Sequence, residues 1–339
     1  MSYHDALNYL AERTSVVELY DRLGGRVAVC PEWNGRILTS TFGGLEGNSF
    51  GCINTQAIDT GDSENFGGED QWTISPLAIS FAVESTKENN VVLRRTLRMA
   101  DANGKPAEFY LMRSISLLGR QKIGTLFGDT VADALKQDDV SVVAFRSKNT
   151  VMSQEKACLA SRQRGMFNAY PHTFIIISTP PEGFLTEPLQ VDIDYLGGAP
   201  HGRIRRLLSG DSSRAQLIRA DGHGWCQATI PFSAAPPIFG AVELRFGVLT
   251  LLMFDVPDGM AKDEDVIRIC NHGRPQRDRW GWATYYEINS FSATREFLPG
   301  SSLSLFQYVL HISADNEILD RIVREIFDVS LKEFPKDVR

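Results

Sequence analysis

Asn65-Phe66-Gly67-Gly68-Glu69-Asp70-Gln71-Trp72 sets two glycines, two adjacent carboxylates, an amide and an indole between segments that read as β-strands. Paired glycines let the backbone turn where a side chain would clash, and they place the following side chains at the mouth of a sheet. A sugar needs such groups, because its hydroxyls want donors and acceptors while its C–H faces stack on rings. The same residues also read as a polar turn with Trp72 capping a core. In an extended backbone Glu69 and Asp70 point to opposite sides, so one is expected to face a groove and the other to brace the turn.

Working upstream, Arg26–Cys30 and Arg36–Thr41 are β-rich runs flanking Glu32-Trp33-Asn34-Gly35. Asn-Gly at that place predicts a hairpin, since both residues tolerate positive φ. Earlier still, Ala6, Leu7, Leu10 and Ala11 have helical spacing. Downstream, strands are expected over 77–83, 91–100, 108–117, 140–146, Thr173–Ser178, 190–195, 225–230, 242–255, 282–290 and 302–312. Turn pairs such as Asn103-Gly104 and Asp258-Gly259 separate them. One internal helix is expected over 130–136. At the end Ile318, Leu319, Ile322, Val323, Ile326 and Phe327 form a helical stripe behind Asp315 as cap. Helices do not alternate with strands, which excludes a parallel βαβ sheet. About fifteen strands with no repeat and no linker predict an all-β chain, a single antiparallel sandwich over 1–339 with helices at its ends.

Composition narrows the partners. Hydrophobic content of 43% and charged content of 23% fit a soluble globular chain. A net charge of −7 and a pI near 5.5 argue against nucleic acid or an anionic membrane as partner. Arg203-Ile204-Arg205-Arg206 reads as a solvated turn. Five scattered cysteines without C-x-x-C spacing speak against a disulfide framework or structural zinc. The N-terminus has no apolar stretch of a signal peptide, and the longest apolar run, 246–254, is too short to span a bilayer. The expected location is the cytoplasm.

Several motifs in order carry a resemblance. They are Pro31-x-x-Asn34-Gly35-Arg36-Ile37-Leu38-Thr39-Ser40, Ser49-Phe50-Gly51-x-Ile53-Asn54, Gly67-Gly68-Glu69-Asp70-x-Trp72, Gly165-Met166-Phe167-Asn168, Tyr285-Tyr286-Glu287-Ile288-x-Ser290 and Leu298-Pro299-Gly300. Together they resemble an uncharacterised bacterial family of the galactose-mutarotase-like superfamily. The resemblance implies a β-supersandwich that binds saccharides in a concave groove. Its members include aldose 1-epimerases, hexose-6-phosphate epimerases, lyases and binding domains, so the fold leaves the reaction open. In the epimerases a mid-chain histidine is the general acid and a late-strand carboxylate the general base, which implies His172 and Glu287 here. The match departs at two places. Pro171 precedes His172 with Asn168 not adjacent, and the last strand reads Leu305-Phe306-Gln307-Tyr308 where the family is rich in histidine.

Alternation over 282–290 puts Ala283, Tyr285, Glu287 and Asn289 on one face, a groove wall in which Tyr285 stacks and Glu287 accepts hydroxyls. Desolvation beside aromatics would raise the Glu287 pKa, as proton transfer requires. Arg36 follows a tight turn and either clamps a substrate anion or pairs with Glu69 or Asp70. Asn54, Asn271 and His272 complete the candidate contacts. Glu69, Trp72, Tyr285 and Glu287 are expected to line one groove with Arg36 nearby. His311 reads as a satisfied histidine at a sheet edge, and His201 and His223 sit in glycine-rich loops without ligand spacing. No cofactor and no metal site is indicated. Gly47-Asn48-Ser49-Phe50-Gly51 fits G-x-S-x-G, but a nucleophile elbow needs a helix directly after it, and Cys52-Ile53-Asn54 reads as extended. Two functions remain, an aldose 1-epimerase-like enzyme and a non-catalytic carbohydrate-binding protein; the oligomeric state is left open.

Overall fold

The computed structural model describes residues 1–74, 79–170, 172–178, 192–194, 204–209, 212–221, 226–231, 238–254, 265–278, 281–291 and 295–335. His201, His223, Arg203 and Pro171 lie outside the described residues.

In chain order the strands are β1 (Val17–Tyr20), β2 (Arg26–Cys30), β3 (Arg36–Thr41), β4 (Gln71–Thr73), β5 (Ala82–Lys87), β6 (Asn90–Ala100) and β7 (Pro106–Leu117). Next come β8 (Ser141–Ser153), β9 (Ala157–Leu159), β10 (Arg162–Asn168), β11 (Thr173–Ser178), β12 (Asp192–Asp194), β13 (Ile204–Ser209) and β14 (Ser212–Arg219). The last are β15 (Cys226–Pro231), β16 (Ile238–Glu243), β17 (Val248–Phe254), β18 (Asp265–Asp278), β19 (Gly281–Phe291), β20 (Arg295–Phe297) and β21 (Ser302–Ser313). The helices are α1 (Tyr3–Ala11), α2 (Thr55–Thr60), α3 (Arg120–Phe127), α4 (Asp129–Ala134) and α5 (Asn316–Phe327), with a 3-10 turn over Ser63–Asn65.

Two large antiparallel sheets face each other. One has ten strands in the order β13-β14-β11-β16-β17-β21-β8-β7-β6-β5, the other six in the order β12-β15-β18-β19-β10-β4. Side-chain alternation divides their faces into different solvents. Phe109, Phe145, Phe239, Leu252 and Val309 of the ten-stranded sheet pack on Trp72, Phe167, Tyr286, Ile288 and Ile269 of the six-stranded one. On its other face the larger sheet turns Leu249, Leu251 and Leu310 toward Ile123 and Phe127 of α3, Val131 of α4 and Ile318, Ile322, Val323 and Phe327 of α5. The α5 stripe is the predicted one, and the Asp315 side chain accepts from the Glu317 and Ile318 amides as its cap. The small sheet β1-β2-β3 packs with α1 and α2 in a third cluster. The outer face of the six-stranded sheet carries Arg164, Glu287 and Asn289 beside an apolar patch of Met166 and Tyr285.

The predicted all-β antiparallel sandwich and its hairpin hold: Asn34 and Gly35 have φ of 61° and 57°. Three expectations need correction. Strands number twenty-one among the described residues, and 242–255 is two strands, β16 and β17, broken where Gly247 takes φ 60°. Helices also occur inside the chain, at α2 and α3. Each is too short to show an unambiguous period, and α3 buries only Ile123, Gly124 and Phe127. Gly124 is there for contact: a Cβ on it would lie 2.6 Å from that of Ala132, so a side chain would push α4 away.

Candidate functional site

The Gly67–Trp72 stretch turns inward. Gly67 has φ 92° and passes so close to its neighbour that a Cβ would lie 1.9 Å from the Cys52 carbonyl oxygen. Glu69 and Asp70 are both fully buried, and both meet partners on the inner face of the ten-stranded sheet. Glu69 Oε2 lies 2.7 Å from His311 Nε2 and accepts from Ser40 Oγ at 2.9 Å, while Gln307 Nε2 donates to the Glu69 carbonyl. The other ring nitrogen of His311 is 2.8 Å from Thr250 Oγ1, and Phe50 stacks on the imidazole with centroids 4.3 Å apart. Asp70 Oδ1 stands 3.0 Å from Arg113 Nη2, whose aligned hydrogen bond goes instead to the Asp70 carbonyl at 3.1 Å. That pair is therefore held by charge, and neither carboxylate oxygen of Asp70 accepts a well-aligned hydrogen bond. Trp72 lies in the core against Phe81. The expectation that one of the two carboxylates faces a groove is corrected, because the two glycines let both turn to the interior.

Antiparallel partners share a face, so strand register writes the outer surface of the six-stranded sheet as rows. One row runs Asp192, Thr229, Arg268, Asn289, Arg164, Gln71. The next runs Asp194, Gln227, Cys270, Glu287, Met166. Shorter rows flank them, His272-Tyr285-Asn168 on one side and Phe291-Arg162-Thr73 on the other. Glu287 and Glu69 thus lie on opposite faces of this sheet, since Tyr286 and Phe167, the inward neighbours of Glu287 and Met166, pack on the Glu69–His311 side. A single groove lined by Glu69, Trp72, Tyr285 and Glu287 is not what the chain builds. Tyr285 and Glu287 share the outer face; Glu69, Asp70 and Trp72 belong to the inner one.

On the outer face Glu287 Oε1 is ion-paired to Arg164 Nη2, and Asn289 Nδ2 donates to Oε2 at 3.2 Å. Both members of the pair are buried. A guanidinium so placed favours the charged carboxylate, opposing the aromatic desolvation expected at Glu287. Burial, and then the charge of Glu287, push the Tyr285 phenol well up. Cys52, Met166 and Tyr285 form an apolar patch beside the charged pair. A wall rises over one side: α2 lies against β18, and Arg164 Nη1 holds the Glu64 carbonyl at 2.7 Å. Arg36 supports that wall from below, giving Nη1 to the Gly67 carbonyl (3.0 Å) and Nη2 to that of Ser63 (2.8 Å). It is buried and pairs with neither Glu69 nor Asp70, and burial among other guanidiniums pushes its pKa down to about 9. Asn54 caps α2, its Oδ1 accepting from the Ala57 amide. Asn271 falls on the inner face opposite Tyr286, and His272 pairs with Tyr285 at an outer-face position.

His172 stands elsewhere, in the turn entering β11, where its carbonyl accepts from Leu244. Glu243, the cross-strand partner of Thr173, is the carboxylate beside it. His172 thus stands beside β11 of the ten-stranded sheet and Glu287 on β19 of the six-stranded one, and no hydrogen bond or ion pair joins them among the described residues. Nearby, Phe50, Phe167, Tyr170, Glu243, Thr250, Tyr286 and His311 line a cavity of about 50 Å³, room for a few water molecules rather than a sugar ring. Ser49 of the G-x-S-x-G match is buried against Thr39 Oγ1 at 2.6 Å, and α2 begins only at Thr55. Among the described residues no three or more His, Cys, Asp or Glu are grouped to hold a metal, and no helix is long and apolar enough to cross a membrane.

A family model described as a family of unknown function, DUF6786, matches residues 1–83 and 78–338. The chain belongs to the DUF6786 family. No curated protein matches it. Among solved structures it is similar to a GalM/aldose epimerase homologue from C. elegans at 10% identity and TM-score 0.53, covering 89% of this chain and 100% of that one. It is also similar to the Slr1438 protein of Synechocystis sp. PCC 6803 at 11% identity and TM-score 0.52, covering 89% and 97%. Likeness at such identities is one of fold: the DUF6786 chain is a galactose mutarotase-like β-sandwich.

The polar face of this DUF6786 protein includes three residues that motif reading passed over, Arg162, Arg164 and Arg268, beside Asn289 and Gln71. A signal for two of them was present. Arg162 and Arg164 are two apart, directly before Gly165-Met166-Phe167-Asn168, and on a strand that spacing puts both on one face. Chemically, the face offers a carboxylate acceptor at Glu287 paired with Arg164, a phenol that keeps its proton, amides, and an apolar patch against which a ring can lie.

Proposed function

We propose that the protein binds a sugar on the outer face of the six-stranded sheet, with Glu287 acting on it as general base in aldose 1-epimerase-like chemistry. The observation that carries this reading is Glu287 itself, a buried carboxylate tied to Arg164 in the middle of a polar sheet face beside Tyr285 and Met166. Ligand sites pair a few convergent polar groups with apolar walls. Mutarotation needs one group to take the anomeric hydroxyl proton and another to protonate the ring oxygen. Glu287 serves the first role. Tyr285, two residues along the same strand face and kept protonated by burial, serves the second in place of His172.

The test is polarimetry or NMR exchange of α and β anomers over a panel of aldoses and their derivatives. Glu287→Gln is expected to lower turnover by about a hundredfold to ten-thousandfold while sugar binding persists. Tyr285→Phe is expected to lose turnover as well, and His172→Asn to lose almost none. A sugar that binds without any acceleration by the wild-type protein would leave the second reading, a non-catalytic carbohydrate-binding protein. The placement of His172 on the other sheet favours that alternative.

A further inference from the structure

The charges on the outer face do not cancel. Arg162 is close enough to feel both Arg164 and Arg268, and Arg36 feels Arg164 and Arg162. Among the described residues, the carboxylates whose charge acts on Arg162 are Glu287, already paired to Arg164, and the exposed Glu64. Asp192 and Asp194 hold register positions at the far edge, two strands from Arg268 and four from Arg162, or roughly 9.5 and 19 Å across the sheet. Arg162 is half-buried, and its side chain forms no hydrogen bond or ion pair among the described residues. Arg268 is half-buried too; its Nε has no acceptor and its guanidinium lies 5.2 Å over the Phe291 ring. Phe291 is the direct cross-strand partner of Arg162. Two guanidiniums with no ion pair among the described residues therefore flank one aromatic ring, Arg268 in the sheet row of Arg164 and Arg162 in the next row away from Glu287.

We propose that the sugar bound at this face carries an anionic group, a carboxylate or a phosphate, received by Arg162 and Arg268. The inference rests on the sugar-binding reading above and names its substrate class. Guanidinium forks match the planar oxygens of carboxylate and phosphate, and a ligand anion relieves crowding of like charges that the described residues leave uncompensated. Burial together with the neighbouring Arg164 pushes the Arg162 pKa down, which is the mark of that crowding. Arg36, buried under the wall, adds field without touching the ligand. Arg164, engaged by Glu287 and the Glu64 carbonyl, orients the base.

The experiment compares neutral hexoses with their uronates and their 6-phosphates by isothermal titration against the whole chain. Inorganic phosphate serves as a separate probe. One of the two anionic forms is expected to bind about tenfold to a hundredfold more tightly than its neutral parent, and which one distinguishes a carboxylate from a phosphate group. Arg162→Gln and Arg268→Gln should each reduce that preference by about tenfold while leaving affinity for the neutral parent in place. Raising salt on the wild-type protein should weaken the anionic form alone, a check that needs no variant. Equal binding of neutral and anionic forms, with turnover still dependent on Glu287, overturns this inference and leaves sugar binding standing. Inorganic phosphate binding as tightly as any sugar phosphate overturns it also. Binding of no sugar at all overturns both.

Discussion

Arg113→Met tests whether the Gly67–Trp72 stretch is a structural plug or part of a ligand site. Arg113 and Asp70 are both fully buried, and their 3.0 Å approach sets one full charge against another in the core. Methionine keeps most of the aliphatic volume but removes the guanidinium, so the Asp70 carboxylate is left without a counter-charge and Asn149 Oδ1 loses the donor it meets at 2.9 Å. Breaking a buried pair from one side costs about 3–5 kcal/mol. At about 2.1 cal/mol/K per residue, the 339 residues give an unfolding entropy near 0.7 kcal/mol/K, so the midpoint should fall by about 4–7 °C. Replacing the partner as well, in Asp70→Asn/Arg113→Met, should recover more than half of that loss, because the orphaned charge is gone. Thermal unfolding followed by circular dichroism measures both steps. Sugar affinity should be unchanged in whatever fraction remains folded. If Arg113→Met melts within about 1 °C of wild type, or if Asp70→Asn removes sugar binding while the midpoint stays in place, the reasoning is wrong.

Three further outcomes follow from burial and backbone geometry. Burial raises the Glu243 pKa, so the fold favours the protonated side chain; its stabilising contribution is complete below the ordinary carboxylate range and is lost as pH rises through the raised folded value. Glu243→Gln should therefore melt above wild type at pH 7 and level with it near pH 4, and a pH-independent difference would refute this. Gly67→Ala places a Cβ 1.9 Å from the Cys52 carbonyl oxygen at φ 92° and should cost at least about 3 kcal/mol in denaturant titration; a cost below about 1 kcal/mol would show that the close approach is not needed. Burial pushes the Cys30 thiol up to about 12, so it should resist a thiol reagent at pH 8 in the folded chain while the half-buried Cys158 reacts; labelling of Cys30 first, read by mass spectrometry, would contradict the burial.

The sandwich was legible because its signals are local. Asn34-Gly35 needs only its own φ angles, and the α5 stripe needs only a 3.6 period behind Asp315. Glu287 and Tyr285 were legible for the same reason, since alternation along one strand puts them on one face. What escaped was every decision made between strands. Glu69 meets His311 across 242 residues of chain, and alternation within an eight-residue stretch cannot foresee that. Alternation even misleads there, because Gly67 and Gly68 rotate the chain before Glu69. His311 was correctly read as satisfied, yet it sits on β21 near the middle of the ten-stranded sheet, not at an edge. Arg164 was missed because its partner Glu287 lies 123 residues away on the neighbouring strand. Register, not composition, joins them.

The polar rows of the six-stranded sheet amount to a pegboard. Its holes are fixed by the backbone at about 4.8 Å across strands and about 6.8 Å along them, and only the pegs are side chains. A site carried on loops changes shape when one residue changes; a board of hydrogen-bonded strands does not. Exchanging the peg at Gln71, Asn289 or Arg268 changes the chemistry offered at one point and leaves the spacing of the others intact. Preference for a new ligand can then accumulate one substitution at a time, with nearly additive effects wherever the altered pegs do not touch. A single scaffold of this kind can be retuned across many ligands without being refolded.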